Sequence, residues 1–234
     1  MLLNKMSSTS FFKDYLQRYN TGAGLNKKVY LKLIDILSEK LKNKDKLRIL
    51  EFGSGMSTKF FVEYNKVFKK KEDIIEITSF DNDLEWCYKG NDKCLTLHIR
   101  ELTECNEKDF NEQMETKNLN KKAFTIRKTP PTWRQRNCFY DIQENDINGK
   151  YDIVILDGPN GNGRNISYLH FKENLDKESI ILIDDFNSCD DDFKYNFVEY
   201  AKHFFNLEDI HTYESSKRGD YDEGGNFCFL KVVD

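Results

Sequence analysis

The segment Arg48-Ile49-Leu50-Glu51-Phe52-Gly53-Ser54-Gly55-Met56-Ser57-Thr58 constrains this chain more than any other. An apolar run that ends in Gly-x-Gly and continues into helix-forming sequence predicts a buried strand, a tight turn and a helix start. Glycine has no Cβ, so a ligand can come close to the backbone of such a turn. The helix start then turns its unpaired N–H groups toward that ligand. Glu51 stands two residues before the first glycine, where a carboxylate repels a pyrophosphate and attracts an ammonium group.

Around this segment, strand and helix patterns alternate. Residues 11–20 read as a short helix, broken by Thr21-Gly22-Ala23-Gly24. Val29, Leu33, Ile34, Leu37 and Leu41 recur at helical spacing between Leu25 and Leu41. Strands are predicted at Leu47–Phe52, Ile74–Phe80, Leu95–Leu102, Tyr151–Leu156 and Ser179–Ile183, with a closing pair at Leu207–Tyr213 and Phe227–Val233. Helices are predicted through Phe60–Phe68, Leu84–Tyr88 (with Asp83 as N-cap) and Asp190–Phe205. Inner strands that are apolar on both faces argue for a parallel sheet covered by helices on both sides, a doubly wound α/β fold. Only a polar turn, Glu214 to Asn226, joins the last two strands, so one of them should run antiparallel.

The organisation expected is an N-terminal helical extension or lid over residues 1–46 and one ligand-binding domain over 47–234. Residues 103–138 form an irregular insertion carrying Arg127, Lys128, Arg134 and Arg136, a candidate acceptor-binding region for an anionic acceptor. With 38% hydrophobic residues, 18 Phe and 12 Tyr, a sizeable core is feasible. Charge is nearly balanced at −4, which is not the basic footprint of a nucleic-acid binder. No run reaches the roughly 18 apolar residues of a membrane span. The six scattered cysteines lack a C-x-x-C pair. Free thiols and a cytoplasmic location are the expectation.

In open α/β sheets ligands bind beyond the carboxyl ends of the strands, near the switch point. Four of the predicted strands end in carboxylates: Glu51, then Asp81 with Asp83, then Asp157, then Asp184 with Asp185. Carboxylates gathered at one rim repel each other unless a cation sits among them. S-adenosylmethionine, with its sulfonium and ammonium, meets that need; so does a divalent metal. Asp81 ends the second strand, where a carboxylate accepts hydrogen bonds from ribose hydroxyls. It lies 28 residues after Gly53, against about 20 in dinucleotide folds, and Thr58 replaces the third glycine of G-x-G-x-x-G. Both departures count against an NAD(P)-dependent oxidoreductase.

These residues resemble the class I S-adenosylmethionine-dependent methyltransferases over roughly 47–233. Leu50-Glu51-Phe52-Gly53-Ser54-Gly55 is similar to the family's first motif, Ser79-Phe80-Asp81-Asn82-Asp83 to its second, Tyr151–Pro159 to its fourth-strand motif and Ile181–Phe186 to its fifth. The Gly-Ser-Gly-x-Ser-Thr loop with the later Asp-Gly-Pro-x-Gly-x-Gly-Arg loop, ending at Arg164, resembles a subgroup acting on small molecules or glycans. The resemblance implies a seven-stranded, mostly parallel sheet with an antiparallel C-terminal strand. It implies S-adenosylmethionine at Glu51, Gly53, Ser54, Gly55, Ser57, Asp81, Asn82, Tyr140, Asp157 and Gly158, and O-methylation of a small-molecule or glycan acceptor. Asp157 and Asp185 are the candidate catalytic bases, with His170 a weaker one. In the catechol type, positions like Asp157, Asp184 and Asp185 bind magnesium. Here Asp185 replaces that type's Asn, and no Lys follows Asp157. A non-catalytic S-adenosylmethionine-binding protein is the remaining alternative.

Overall fold

The computed structural model describes residues 25–68, 73–114, 138–159, 161–186, 197–213 and 226–234. Thr21–Gly24 and the predicted helix at 11–20 lie outside the described residues. So do Arg127, Lys128, Arg134, Arg136 and the first part of the helix predicted from Asp190.

The described elements are α1 (Lys27–Lys40), β1 (Leu47–Phe52), α2 (Met56–Phe68), β2 (Ile75–Asp81), β3 (Leu95–Ile99), β4 (Leu102–Glu104), α3 (Glu107–Gln113) and β5 (Cys138–Tyr140). After these come β6 (Tyr151–Leu156), α4 (Ser167–Phe171), β7 (Leu175–Asp184), α5 (Phe197–Phe204), β8 (Leu207–Tyr213) and β9 (Phe227–Val232). A 3-10 turn, Asn162–Ile166, leads into α4.

Seven strands form one sheet in the order β3-β2-β1-β6-β7-β9-β8. From β3 through β7 every pairing is parallel. β9 is antiparallel to both β7 and β8, so it is the reversed strand. The chain leaves β1 toward β2 and β3, then returns to lay β6 on its other side. The switch point is therefore the gap between the ends of β1 and β6.

Adjacent side chains along a strand point to opposite faces, and here both faces are covered. Ile49, Ile77, Ile153, Ile155 and Leu182 pack with α1 and α2 in one buried cluster. Leu50, Phe80, Val154, Leu156 and Ile181 pack with residues of α3, α4 and α5 in the other. That is why β6 is apolar at every position from Ile153 to Leu156. Asn26 caps α1 by accepting from the N–H groups of Lys28 (2.9 Å) and Val29 (3.1 Å). The start of α1 lies at the site-side edge of the sheet, where Lys28 donates to Tyr213 at the end of β8. Its C-terminal Lys40 donates to the Glu178 carbonyl near the start of β7.

Several predicted boundaries move. Leu84–Tyr88 is a turn rather than a helix: the Asp83 carbonyl accepts from Trp86 and Cys87. Leu84 and Trp86 stay exposed, so only Cys87 and Tyr88 of that segment pack inward, too few to hold a helix. The third strand stops at Ile99, not Leu102. The chain then leaves the main sheet, and β4 pairs antiparallel with β5 as a separate ribbon, so the stretch read as irregular is bounded by two short strands and contains α3. β7 begins at Leu175, ahead of Ser179, across a bulge with Glu178 at φ 71°. No helix among the described residues is long and apolar enough to cross a membrane.

One polar side chain inside α2 fixes the start of β2. The buried Asn65 amide accepts from Ile74 (2.8 Å) and Ile75 (3.1 Å) and donates to the Ile75 carbonyl (3.0 Å). Asn65→Ala strands these backbone groups and should cost about 2–3 kcal/mol, read as a lowered urea midpoint at unchanged m-value.

Candidate functional site

The strand ends converge on the switch point. Gly53 has φ 98°, a conformation open to glycine. A Cβ there would lie 2.8 Å from the Gly158 nitrogen; one on Gly158 would lie 2.9 Å from the Gly53 Cα and 2.5 Å from the Tyr140 hydroxyl. The two loops therefore meet backbone to backbone, and no side chain fits between them. The Phe52 carbonyl accepts from both Asp157 (2.9 Å) and Gly158 (2.7 Å), and Gly53 donates to the Phe80 carbonyl (2.9 Å).

Glu51 lies beneath this loop. It shares the α1/α2 face with Ile49, two residues earlier, and has no exposed surface. Thr58 and Ser79 (2.6 Å) both donate to its Oε2. The Thr58 hydroxyl in turn accepts from the Gly55 N–H (3.0 Å) and bonds Ser54 Oγ (3.0 Å), which accepts from Tyr88 N–H (3.3 Å). Thr58, at the third helical position, thus reaches back to the residue before the helix, in the manner of a capping box. Glu51 Oε1 has no hydrogen-bond partner. Burial raises the Glu51 pKa to about 7, against the opposing pull of the Ser57, Ser79 and Thr58 hydroxyls.

Asp81 is buried at the end of β2, and its two oxygens hold the surrounding loops. One accepts from Ser54 N–H (2.8 Å), the other from Asp83 N–H (2.8 Å). Burial raises its pKa and the backbone donors partly offset this. Asn82 beside it is exposed. Tyr140 is buried, its ring stacked on Phe52 at 6.3 Å and 13°. Burial lifts its hydroxyl well above the usual range, reinforced by Asp81 and countered by Arg164.

Asp157 and Asp184 sit side by side at the ends of β6 and β7, within hydrogen-bonding reach of each other. Desolvation raises Asp157 to about 6, with Arg164 opposing and Asp185 reinforcing the shift. Asp184 rises further, by desolvation and then by the neighbouring Asp157 charge. One proton shared by the pair is the arrangement that satisfies both. Asp185 is exposed at φ 55°. His170 is half-buried and stacked on Phe139 at 5.5 Å, and burial lowers its pKa.

Sequence reasoning gave Arg164 no role of its own. It is 2% exposed, and its guanidinium donates to backbone carbonyls of Asp157 (2.8 Å), Asp184 (2.8 Å), Pro159 (3.1 Å) and, at 3.4 Å, Leu156. It ties the ends of β6 and β7 together and places one buried positive charge behind the acid pair. A sequence signal existed in the Gly-rich loop that it closes. Thr58 reads from sequence as a helix cap, which it is, but its bond to Glu51 and that of Ser79 do not read from it; their signal is that hydroxyls on a buried helix face and an inner strand need an acceptor.

The structure thus brings Glu51, Gly53, Ser54, Gly55, Ser57, Asp81, Tyr140, Asp157, Gly158 and Asp184 to one end of the sheet. A metal does not fit the suggested set. Asp185 faces solvent while Asp157 and Asp184 pair with each other, and no group of three His, Cys, Asp or Glu among the described residues is arranged to hold an ion. Glu51 is also placed differently from the expectation that it faces a ligand: it acts from below the loop, because strand alternation turns it toward α2.

No family model matches the chain, and no curated protein is similar to it in sequence. Among solved structures, precorrin-6y C5,15-methyltransferase from Geobacter metallireducens aligns over 93% of this chain and 95% of its own, at 14% identity and TM-score 0.48. A TehB-like SAM-dependent methyltransferase from Corynebacterium glutamicum covers 84% and 85%, at 12% identity and TM-score 0.43. Magnesium protoporphyrin IX methyltransferase from Synechocystis covers 97% of both chains, at 12% identity and TM-score 0.43. Scores of this size describe a distant likeness in chain path and assign nothing to this chain's site.

The acid cluster has a consequence for stability. Glu51 has a folded pKa near 7 and an ordinary value of 4.5, so the folded state binds more protons between those pH values. Its contribution is complete below about pH 4.5 and is lost as pH rises through 7, on the order of 3 kcal/mol. Melting temperature should therefore fall between pH 5 and pH 8. Glu51→Gln should flatten that fall, a comparison read by scanning calorimetry at each pH.

Proposed function

We propose that this chain is an S-adenosylmethionine-dependent methyltransferase acting on a hydroxyl of a small-molecule or sugar acceptor. The observation that carries the reading is the side-chain-free contact of Gly53 with Gly158 at the switch point, ringed by the carboxyls of Glu51, Asp81, Asp157 and Asp184. Such a ring suits a ligand with an ammonium and a sulfonium and opposes the pyrophosphate of a dinucleotide.

The residues fit the cofactor. The Gly53–Gly55 backbone and the start of α2 suit its amino-acid end, Asp81 and Asn82 its ribose, and Tyr140 its base. When bound, S-adenosylmethionine supplies a methyl group already activated by the sulfonium. The protein's part is then mainly to position the acceptor and to take its proton. The pair shares a proton, and Asp157, next to Gly158 at the switch point, is the member placed to act as the base. Its pKa of about 6 leaves it ionised at neutral pH and weakly basic, which suits a general base. Arg164 holds the carbonyls of both residues and so fixes the distance between them.

A thermal melt with S-adenosylhomocysteine tests the cofactor. At 100 times its dissociation constant the ligand adds about 2.7 kcal/mol, a rise of roughly 5–10 °C for a chain of this size. Asp81→Ala should abolish the rise, and NAD should give none. For the base, Asp157→Asn should lower turnover roughly 10²–10⁴-fold with the melting rise retained. Loss of that rise would make Asp157 a binding residue instead, and unchanged turnover would remove it from the reaction.

A further inference from the structure

Glu51 has two oxygens in opposite circumstances. Oε2 is committed as an acceptor to two hydroxyls, Thr58 from α2 and Ser79 from β2. Oε1 makes no hydrogen bond, and the residue is 0% exposed. A full negative charge there lacks the hydrogen bonds that make burial of a carboxylate tolerable. The other groups facing it are the Ser57 hydroxyl on the α2 side, and the Asp157 carboxyl and Tyr140 phenol from the β6 and β5 sides. Neither of the last two supplies positive charge, and Asp157 opposes ionisation. In the unliganded protein the place for a proton is therefore Oε1, because Oε2 can keep both hydroxyl bonds whether or not Oε1 is protonated.

We propose that Glu51 carries this proton when the site is empty and gives it to solvent when an ammonium-bearing ligand settles on the Gly53–Gly55 loop above it. Binding and ionisation of a residue that touches no solvent are thereby linked. The inference rests on the cofactor reading above and adds what selects the ligand: its positive charge, felt through the loop, rather than direct contact. The proton balance is simple: a neutral carboxyl and an ammonium-bearing ligand come together, the carboxylate–ammonium pair stays in the complex, and one proton leaves to solvent. The raised pKa of Glu51, about 7, sets the scale. Near that pH roughly half the molecules are protonated beforehand, so about half a proton should leave per ligand bound. Neutral ligands that use the same ribose and base contacts release none from this group.

The test is calorimetric titration of the whole chain with S-adenosylhomocysteine at pH 7, in two buffers of different ionisation enthalpy. A parallel series uses 5′-methylthioadenosine, which lacks the amino-acid end. The expected result is a buffer-dependent heat equal to about half a proton for the first ligand and close to none for the second. Affinity for the first should rise toward tenfold per pH unit below pH 7 and level off above it. Glu51→Gln should remove most of the buffer dependence. Should that variant fail to fold, Ser79→Ala, which deletes one hydroxyl favouring the anion, should move the pH midpoint upward. Equal proton release with both ligands, or binding with no buffer dependence, overturns the proposal while leaving the cofactor reading intact. No binding of either ligand at any pH overturns both.

Discussion

The structure depends on one buried carboxyl. Glu51 terminates a chain of hydrogen bonds that starts at the Tyr88 amide and runs through Ser54 and Thr58. That chain joins the turn after β2, the glycine loop and the first turn of α2 to the end of β1. With Ser79 it also joins β1 to β2 by side chains as well as by their ladder. The loop keeps its shape because each polar group along it has the next as partner. A Glu here costs stability through burial, and what it yields is a loop held from beneath, leaving its upper backbone unencumbered.

The opposite half of the site is held by a cation instead. Arg164 spends its donors on main-chain carbonyls at the ends of β6 and β7, so it neutralises no carboxylate by direct pairing. Its charge nonetheless tempers Asp157 and Asp184 from behind. An arginine bound to carbonyls cannot be drawn away when the acids change protonation, so the frame stays fixed while the proton moves.

Much of this was legible in the sequence because it follows from alternation. Runs such as Ile153-Val154-Ile155-Leu156 are apolar at every position only where both faces of a strand are covered, and they are. Carboxylates at four strand ends, with Gly53 and Gly158 between them, are equally readable, and the fold gathers them at one end of the sheet. Other features resist a linear reading. Arg164 in a glycine-rich loop and Asn65 in a helix look like surface residues; their roles arise from contacts with segments distant in the chain. The β4–β5 ribbon involves three residues from each side, too few to show a period. The turn at Leu84 carried a proper N-cap in Asp83, but capping starts a helix that only burial of an apolar face can sustain. The direction of Glu51 follows from parity: it shares a face with Ile49, which turns its carboxyl toward α2.

The single reversed strand has a consequence for traffic through the molecule. Because β9 runs against its neighbours, the backbone leaves it after Val232 at the edge where the parallel strands begin, beside Ile180 and away from the carboxyl ring. The chain enters α1 at the other edge, where Lys28 meets Tyr213. Leu25 and the start of α1 therefore lie toward the carboxyl-ring end of the sheet, and Asp234 lies at the opposite end. A fluorophore or surface tether attached at Asp234 would therefore stand on the side of the sheet turned away from the carboxyl ring.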